Sequence, residues 1–203
     1  MKDNTRTRAL TQLALLAAVE LVMAYTPLGY LRTLGLEISF LMIPVTLGAM
    51  LIGPAAGAVL GGIFGLTSFA TCFGTSAFGT VLLGIDPVLT FLVCVPTRIL
   101  AGWLAGLLFR ALRRLAGGQP GLGAFGAAAL TGPVLNTALF MTALVVCFYR
   151  TEYIQGIAQT LGAANPLTFV LLFVGIQGLV EAAVGFAACF VIGRAVYKVL
   201  RRA

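Results

Sequence analysis

Residues 51–74 read LIGPAAGAVLGGIFGLTSFATCFG, an apolar run with glycine at 53, 57, 61, 62 and 65 and a proline at 54. In water, that many glycines in one stretch cost too much backbone entropy for a helix to hold. The surrounding Val, Leu, Ile, Phe and Ala nevertheless argue for a helix buried along its length. The two signals agree if the solvent is lipid, where helices associate through close backbone packing and small residues spaced four apart allow it. Gly53, Gly57, Gly61 and Gly65 have that spacing, so the last three share one face of a helix pressed against a neighbour. The stretch specifies architecture more than chemistry.

The composition agrees. Of 203 residues, 60% are hydrophobic and 9% charged, where soluble domains carry about 25% charged residues. The mean hydropathy is +1.06. A water-soluble fold of this size cannot hide so much apolar surface, so the expected class is an all-α integral membrane protein, one membrane domain over residues 1–203. Six apolar runs are long enough to cross a bilayer, about 9–25, 38–53, 55–73, 87–109, 122–148 and 167–193. The first follows MKDNTRTR without a convincing small-x-small cleavage site, so it reads as a retained transmembrane helix. Gly53-Pro54 makes a tight turn between the second and third, and Pro87 and Pro166 mark helix starts. The apolar piece GTSAFGTVLLGID (74–86) reads as a re-entrant or lid-like loop.

Charge sets the orientation. With both termini on one side, that side holds Lys2, Arg6, Arg8, Arg110, Arg113, Arg114, Arg194, Lys198, Arg201 and Arg202. The other side holds only Arg32 and Arg150. This asymmetry predicts six transmembrane helices in the cell membrane with both termini cytoplasmic. The net charge of +7 is then an orientation signal, and no nucleic-acid partner is expected.

Several chemistries are excluded. The chain has no His, which removes Ser-His triads, His-ligated metals and imidazole relays. Cys72, Cys94, Cys147 and Cys189 are scattered over separate apolar stretches without metal or redox spacing, and read as small hydrophobes. GxxxxGK[ST], HExxH and paired-carboxylate metal motifs are absent, so no cofactor, metal or enzymatic activity is expected. No duplicated halves with broken helices mark a self-sufficient secondary transporter.

The polar residues inside the runs remain: Arg98, Asn136, Gln177 and Glu181. Arg98 is 12 residues inward from Asp86, about 18 Å at the helical rise. Asn136 lies 12 residues from the outer end of its run and Glu181 14 from the outer start of its own, about 18 and 21 Å. All three fall near mid-membrane, with Gln177 one turn outward of Glu181 on the same face. Buried polar groups at such depth either lock helices together, here as an Arg98–Glu181 ion pair, or line a pocket for a small polar solute. Glu20, near the outer end of the first run, is placed to snorkel or to line the mouth. These readings leave two classes open, a binding subunit and a membrane scaffold whose polar residues only hold helices together.

The order of motifs resembles the substrate-binding S-components of energy-coupling factor (ECF) vitamin importers, over nearly the whole chain. Ala14-Leu-Leu-Ala17-Ala18 is similar to the family's Ala-xxx-Ala face. SFLMIPVTLGAMLIGPAAGAVLGGIFGLTSF (39–69), VPTRIL (95–100), Asn136-Thr137 after Gly132-Pro133, and Glu181 also follow its pattern. The resemblance implies a high-affinity vitamin binder in the lipid bilayer that works with a membrane coupling protein and two cytoplasmic ATPases. It implies docking through Ala14 and Ala18, and a ligand held by Arg98, Asn136, Thr137, Gln177 and Glu181 near loops 26–37, 74–86 and 149–166. TSF and PTRIL most resemble pantothenate-type members. An Arg fork suits that anion's carboxylate. Riboflavin or folate would favour aromatic platforms such as Phe73, Phe78, Tyr149 or Trp103, and cobalamin would need a wider mouth.

Overall fold

The computed structural model describes residues 2–27, 29–32, 37–115 and 122–202. In order these form α1 (Lys2–Ala24), β1 (Tyr30–Arg32), β2 (Glu37–Ser39), α2 (Met42–Leu51), α3 (Pro54–Thr71), α4 (Ala77–Ile85), α5 (Pro87–Leu115), α6 (Leu122–Phe148), α7 (Glu152–Thr160) and α8 (Pro166–Arg202). Among the described residues, five stretches are long and apolar enough to cross a bilayer: Arg6–Ala24, Pro54–Thr71, Pro87–Leu115, Phe125–Phe148 and Gly178–Val196. The chain is thus a helical, multi-pass membrane protein.

The second apolar run departs from expectation. Residues 37–39 pair antiparallel with 30–32, in the register Tyr30↔Ser39, Leu31↔Ile38 and Arg32↔Glu37. That leaves α2 only 10 residues, about 15 Å of helix against a hydrocarbon core of about 30 Å. The expected lid-like loop at 74–86 also differs, because its centre folds as α4. Ser76 starts that helix by accepting a hydrogen bond from the Gly79 amide at 3.2 Å. Asp86 then starts α5, its Oδ1 accepting from the amides of Val88 (2.9 Å) and Leu89 (3.0 Å) around Pro87. With α7, begun by Thr151, and the β1–β2 ribbon, these elements gather at one end of the bundle, the lid end.

The glycine stripe has found its neighbour, α5. A Cβ on Gly57 or Gly61 would collide with the backbone carbonyl of Gly102 or Arg98, respectively. On Gly65 it would lie 2.7 Å from Val95 Cα, and on Gly106, across the seam, 2.6 Å from Pro54 Cα. The two backbones touch along the whole seam, and no residue larger than glycine fits there. Gly53 serves differently, turning the chain from α2 into α3 at φ 137°, a conformation that side-chain-bearing residues rarely adopt.

Two other helices matter for the site. On α1 the residues Leu10, Ala14, Ala18, Leu21 and Val22 face outward, while Leu13, Leu16 and Ala17 pack on a core of Leu41, Met42, Val45, Leu60 and Phe64. Glu20 neither snorkels nor lines a mouth. It is fully buried, with both carboxylate oxygens lacking a hydrogen-bond partner among the described residues. α8 breaks at Gly175, where φ 42° and ψ −138° interrupt the helical path.

Candidate functional site

A cavity of about 120 Å³ lies under the lid end, bounded by α3, α4, α5, α6, α8 and the ribbon. Arg98 reaches it from α5. Pro96 removes one N–H from this helix, and the two side chains after it bond back onto the helix. The Thr97 hydroxyl donates to the Val93 carbonyl at 2.6 Å. Arg98 Nη1 donates to the carbonyls of Val93 at 3.3 Å and Cys94 at 3.0 Å. The guanidinium is clasped between two aromatic rings, 4.8 Å from the centroids of both Phe64 and Phe140, a cation–π arrangement suited to a desolvated charge. Its Nε has no hydrogen-bond partner among the described residues.

Asn136 and Thr137 enter from α6 and Glu181 from α8, all on the cavity wall. The Glu181 carboxylate faces Ser39 of the ribbon, the Asn136 amide and Arg98. The hydrogen bonds of Arg98 run to its own helix rather than to Glu181, so the two charges act on each other across the cavity and not as a closed pair. Asn136 Oδ1 and Glu181 Oε1, like Arg98 Nε, are buried without a hydrogen-bond partner among the described residues. Buried polar atoms in folded proteins are nearly always satisfied. Three such atoms, one donor and two acceptors, thus belong to residues that line one cavity.

The roof is aromatic. Phe78 of α4 packs at 6.0 Å on Tyr153 of α7 and at 5.5 Å on Phe173 of α8, and Phe173 stacks on Phe169 at 5.0 Å. Burial in this roof pushes the Tyr153 phenol up, which keeps it protonated.

Of the residues singled out in the sequence, Arg98, Asn136, Thr137 and Glu181 meet at this cavity. Gln177 falls on α8 as expected, but its side chain lies outside the described residues. Phe78 lines the cavity. Phe73 instead packs edge-on against Phe69, Tyr149 packs on Phe169, and Trp103 is exposed on α5. Phe64, Phe140, Ser68, Cys72 and Cys94 line the cavity without having been anticipated. Cys94 stands one turn before Arg98, so the i, i+4 rule would have found it. Phe64 and Phe140 carried no signal, being indistinguishable from core residues until the helices pack.

A family model described as the ECF transporter, substrate-specific component matches residues 8–193. The chain belongs to that family. It is accordingly a substrate-specific subunit of an ECF transporter and not an enzyme, and it associates with coupling and ATPase modules and a substrate. The scaffold alternative falls with this assignment. The comparison with curated proteins gives no match.

Proposed function

We propose that this chain captures a small vitamin from outside the cell, with pantothenate the best-fitting ligand, and releases it inward after docking on the coupling subunit. The observation that carries this is the convergence of the Arg98 Nε donor with the Asn136 Oδ1 and Glu181 Oε1 acceptors on one small cavity. Pantothenate offers a carboxylate for the guanidinium, and hydroxyls and an amide N–H for the acceptors. Thr137 and Gln177 complete the proposed binding set. The volume supports a small ligand: about 120 Å³ lies below the roughly 300–1,000 Å³ of pockets for drug-sized molecules. A corrin or pterin does not suit it, and even a small acid requires the aromatic roof to yield.

In this reading the lid end faces outward and both termini are cytoplasmic in the plasma membrane, supported by the lysine and arginine excess at the opposite end. α2 with the ribbon then makes the sixth crossing. The outward face of α1, with Ala14 and Ala18, is the docking surface for the coupling protein, which two ATPases drive. The test is equilibrium binding of labelled pantothenate to the purified chain, competed by other vitamins. Saturable binding without ATP is the expected result. Displacement only by another vitamin would replace the ligand and keep the mechanism, whereas absence of binding by every vitamin would overturn the proposal.

A further inference from the structure

Cys72 and Cys94 look like unrelated core residues in the sequence, yet the fold brings them to one wall of the cavity. Cys72 is the C-cap of α3, and Cys94 sits on α5. The two side chains belong to one buried cluster with Val95. The Cys72 thiol donates to the Ser68 carbonyl at 3.5 Å, and Gly79, in the first turn of α4, packs on the same sulfur. Only 4% of Cys72 and 6% of Cys94 is exposed, and both residues border the cavity, so a small molecule inside it can meet both. Cys147 and Cys189 are not part of the cavity lining. None of the four is in a disulfide.

We propose that Cys72 and Cys94 form a dithiol site for small disulfides, and that bridging the two sulfurs closes the cavity to its ligand. One thiol, as thiolate, attacks the small disulfide RS–SR, forming a mixed disulfide and releasing the first RSH. The second thiolate attacks the protein-bound sulfur, forms the Cys72–Cys94 bond and releases the second RSH. Two protein thiols are oxidised, one small disulfide is reduced, and both thiol protons leave on the two RSH molecules. The bond requires sulfurs about 2.05 Å apart and Cα atoms within about 7 Å. The chain leaves the α3 helix at Cys72 and turns through 72–75, so this end is the part that adjusts. Drawing it toward α5 narrows the space between Ser68, Thr71 and Arg98.

The test treats the purified full-length chain with 2-hydroxyethyl disulfide and maps its peptides without reduction. A mass loss of about two units and a peptide linking 72 to 94, both reversed by reductant, are expected. The link persists in Cys147→Ser and Cys189→Ser and is lost in Cys72→Ser and Cys94→Ser. Four unmodified thiols, stable mercaptoethanol adducts without the link, or a link through Cys147 or Cys189 would overturn the site. Closure is read with labelled pantothenate, and this arm rests on the function proposed above. Affinity falls at least tenfold in the bridged protein and recovers on reduction, while the Cys72→Ala/Cys94→Ala double variant does not respond to the oxidant. Unchanged affinity in the bridged protein overturns closure. If the reduced protein binds no pantothenate, the ligand assignment fails by itself. Closure is then judged by maleimide labelling of Thr137→Cys, which slows at least tenfold in the bridged protein if closure is correct and is unaltered if it is not.

Discussion

The α3–α5 seam and the α6–α8 pairing are two helix contacts that border the same cavity, and they are built in opposite ways. Along α3–α5 the backbones touch through Gly57, Gly61, Gly65, Gly102 and Gly106, with no space for a methyl group. Between α6 and α8, toward the lid end, an apolar groove of about 960 Å³ runs from Pro133 to Val146 on one side and from Pro166 to Ala182 on the other. Gly175 interrupts α8 inside this groove and has nothing within 4 Å of where a Cβ would stand. Four residues, Thr137, Met141, Val174 and Gly178, line both the groove and the polar cavity. The wall carrying Arg98 is therefore fixed by backbone contact, whereas the wall carrying Glu181 packs on α6 at Gly185 but has a break at Gly175 beside the groove. Tight packing leaves a helix one position, and a broken helix beside open space retains several. Access to a cavity this small is expected through movement on the α8 side.

The comparison breaks most sharply at Gly61. Gly61→Ala forces a methyl group into the carbonyl of Arg98, and we expect a loss of about 3 kcal/mol, near the upper range for overpacking, measured as a lowered thermal midpoint in detergent. A stability unchanged within error would mean the seam is not rigid. Arg98→Ala should come next. Removing a charge-assisted hydrogen bond of about 2–3 kcal/mol should weaken pantothenate binding about 100-fold while the protein still inserts, and titration calorimetry with the purified variant checks this. Unchanged affinity would remove Arg98 from the site.

On the wall carrying Glu181, Gly175→Ala meets no steric barrier but must hold an alanine at φ 42°. The expected cost is about 1–3 kcal/mol of backbone strain, appearing as faster amide exchange confined to Pro166–Gly178. Uniformly faster exchange through α3 and α5 as well would show that the two walls are one cooperative unit. The smallest effect on the chain itself is expected at Ala14→Trp and Ala18→Trp, which project from the exposed face of α1. Thermal midpoint and ligand affinity should stay at wild-type values, while vitamin uptake by cells carrying the whole transporter is lost. Normal uptake in both would dismiss α1 as the docking face.

Most of the helical plan was legible because membrane helices announce themselves by length and apolarity. Pro54, Pro87 and Pro166 each open a helix where the sequence placed them. The α2 region was misjudged because an apolar run does not reveal whether its first residues enter a helix or pair as a strand. Residues 37–39 chose the strand because Tyr30–Arg32 was available to pair with them, a long-range fact. The segment 74–86 read as a loop, and the helix in it was not legible. Its capping serine, Ser76, stands in an unremarkable run of small residues.

By itself the sequence determined the solvent and the sign of the charge asymmetry, since each follows from composition and from the positions of Lys and Arg along the chain. It also determined that α3 would be pressed against a neighbour, because a glycine every fourth residue leaves one face bare. Only the tertiary structure decided which neighbour that was, that Phe64 and Phe140 clasp Arg98, that Glu20 is sealed rather than exposed, and that two distant cysteines share a wall. Those facts depend on how helices rotate against one another. Rotation is set by the combined packing of every face at once, which no single helix encodes.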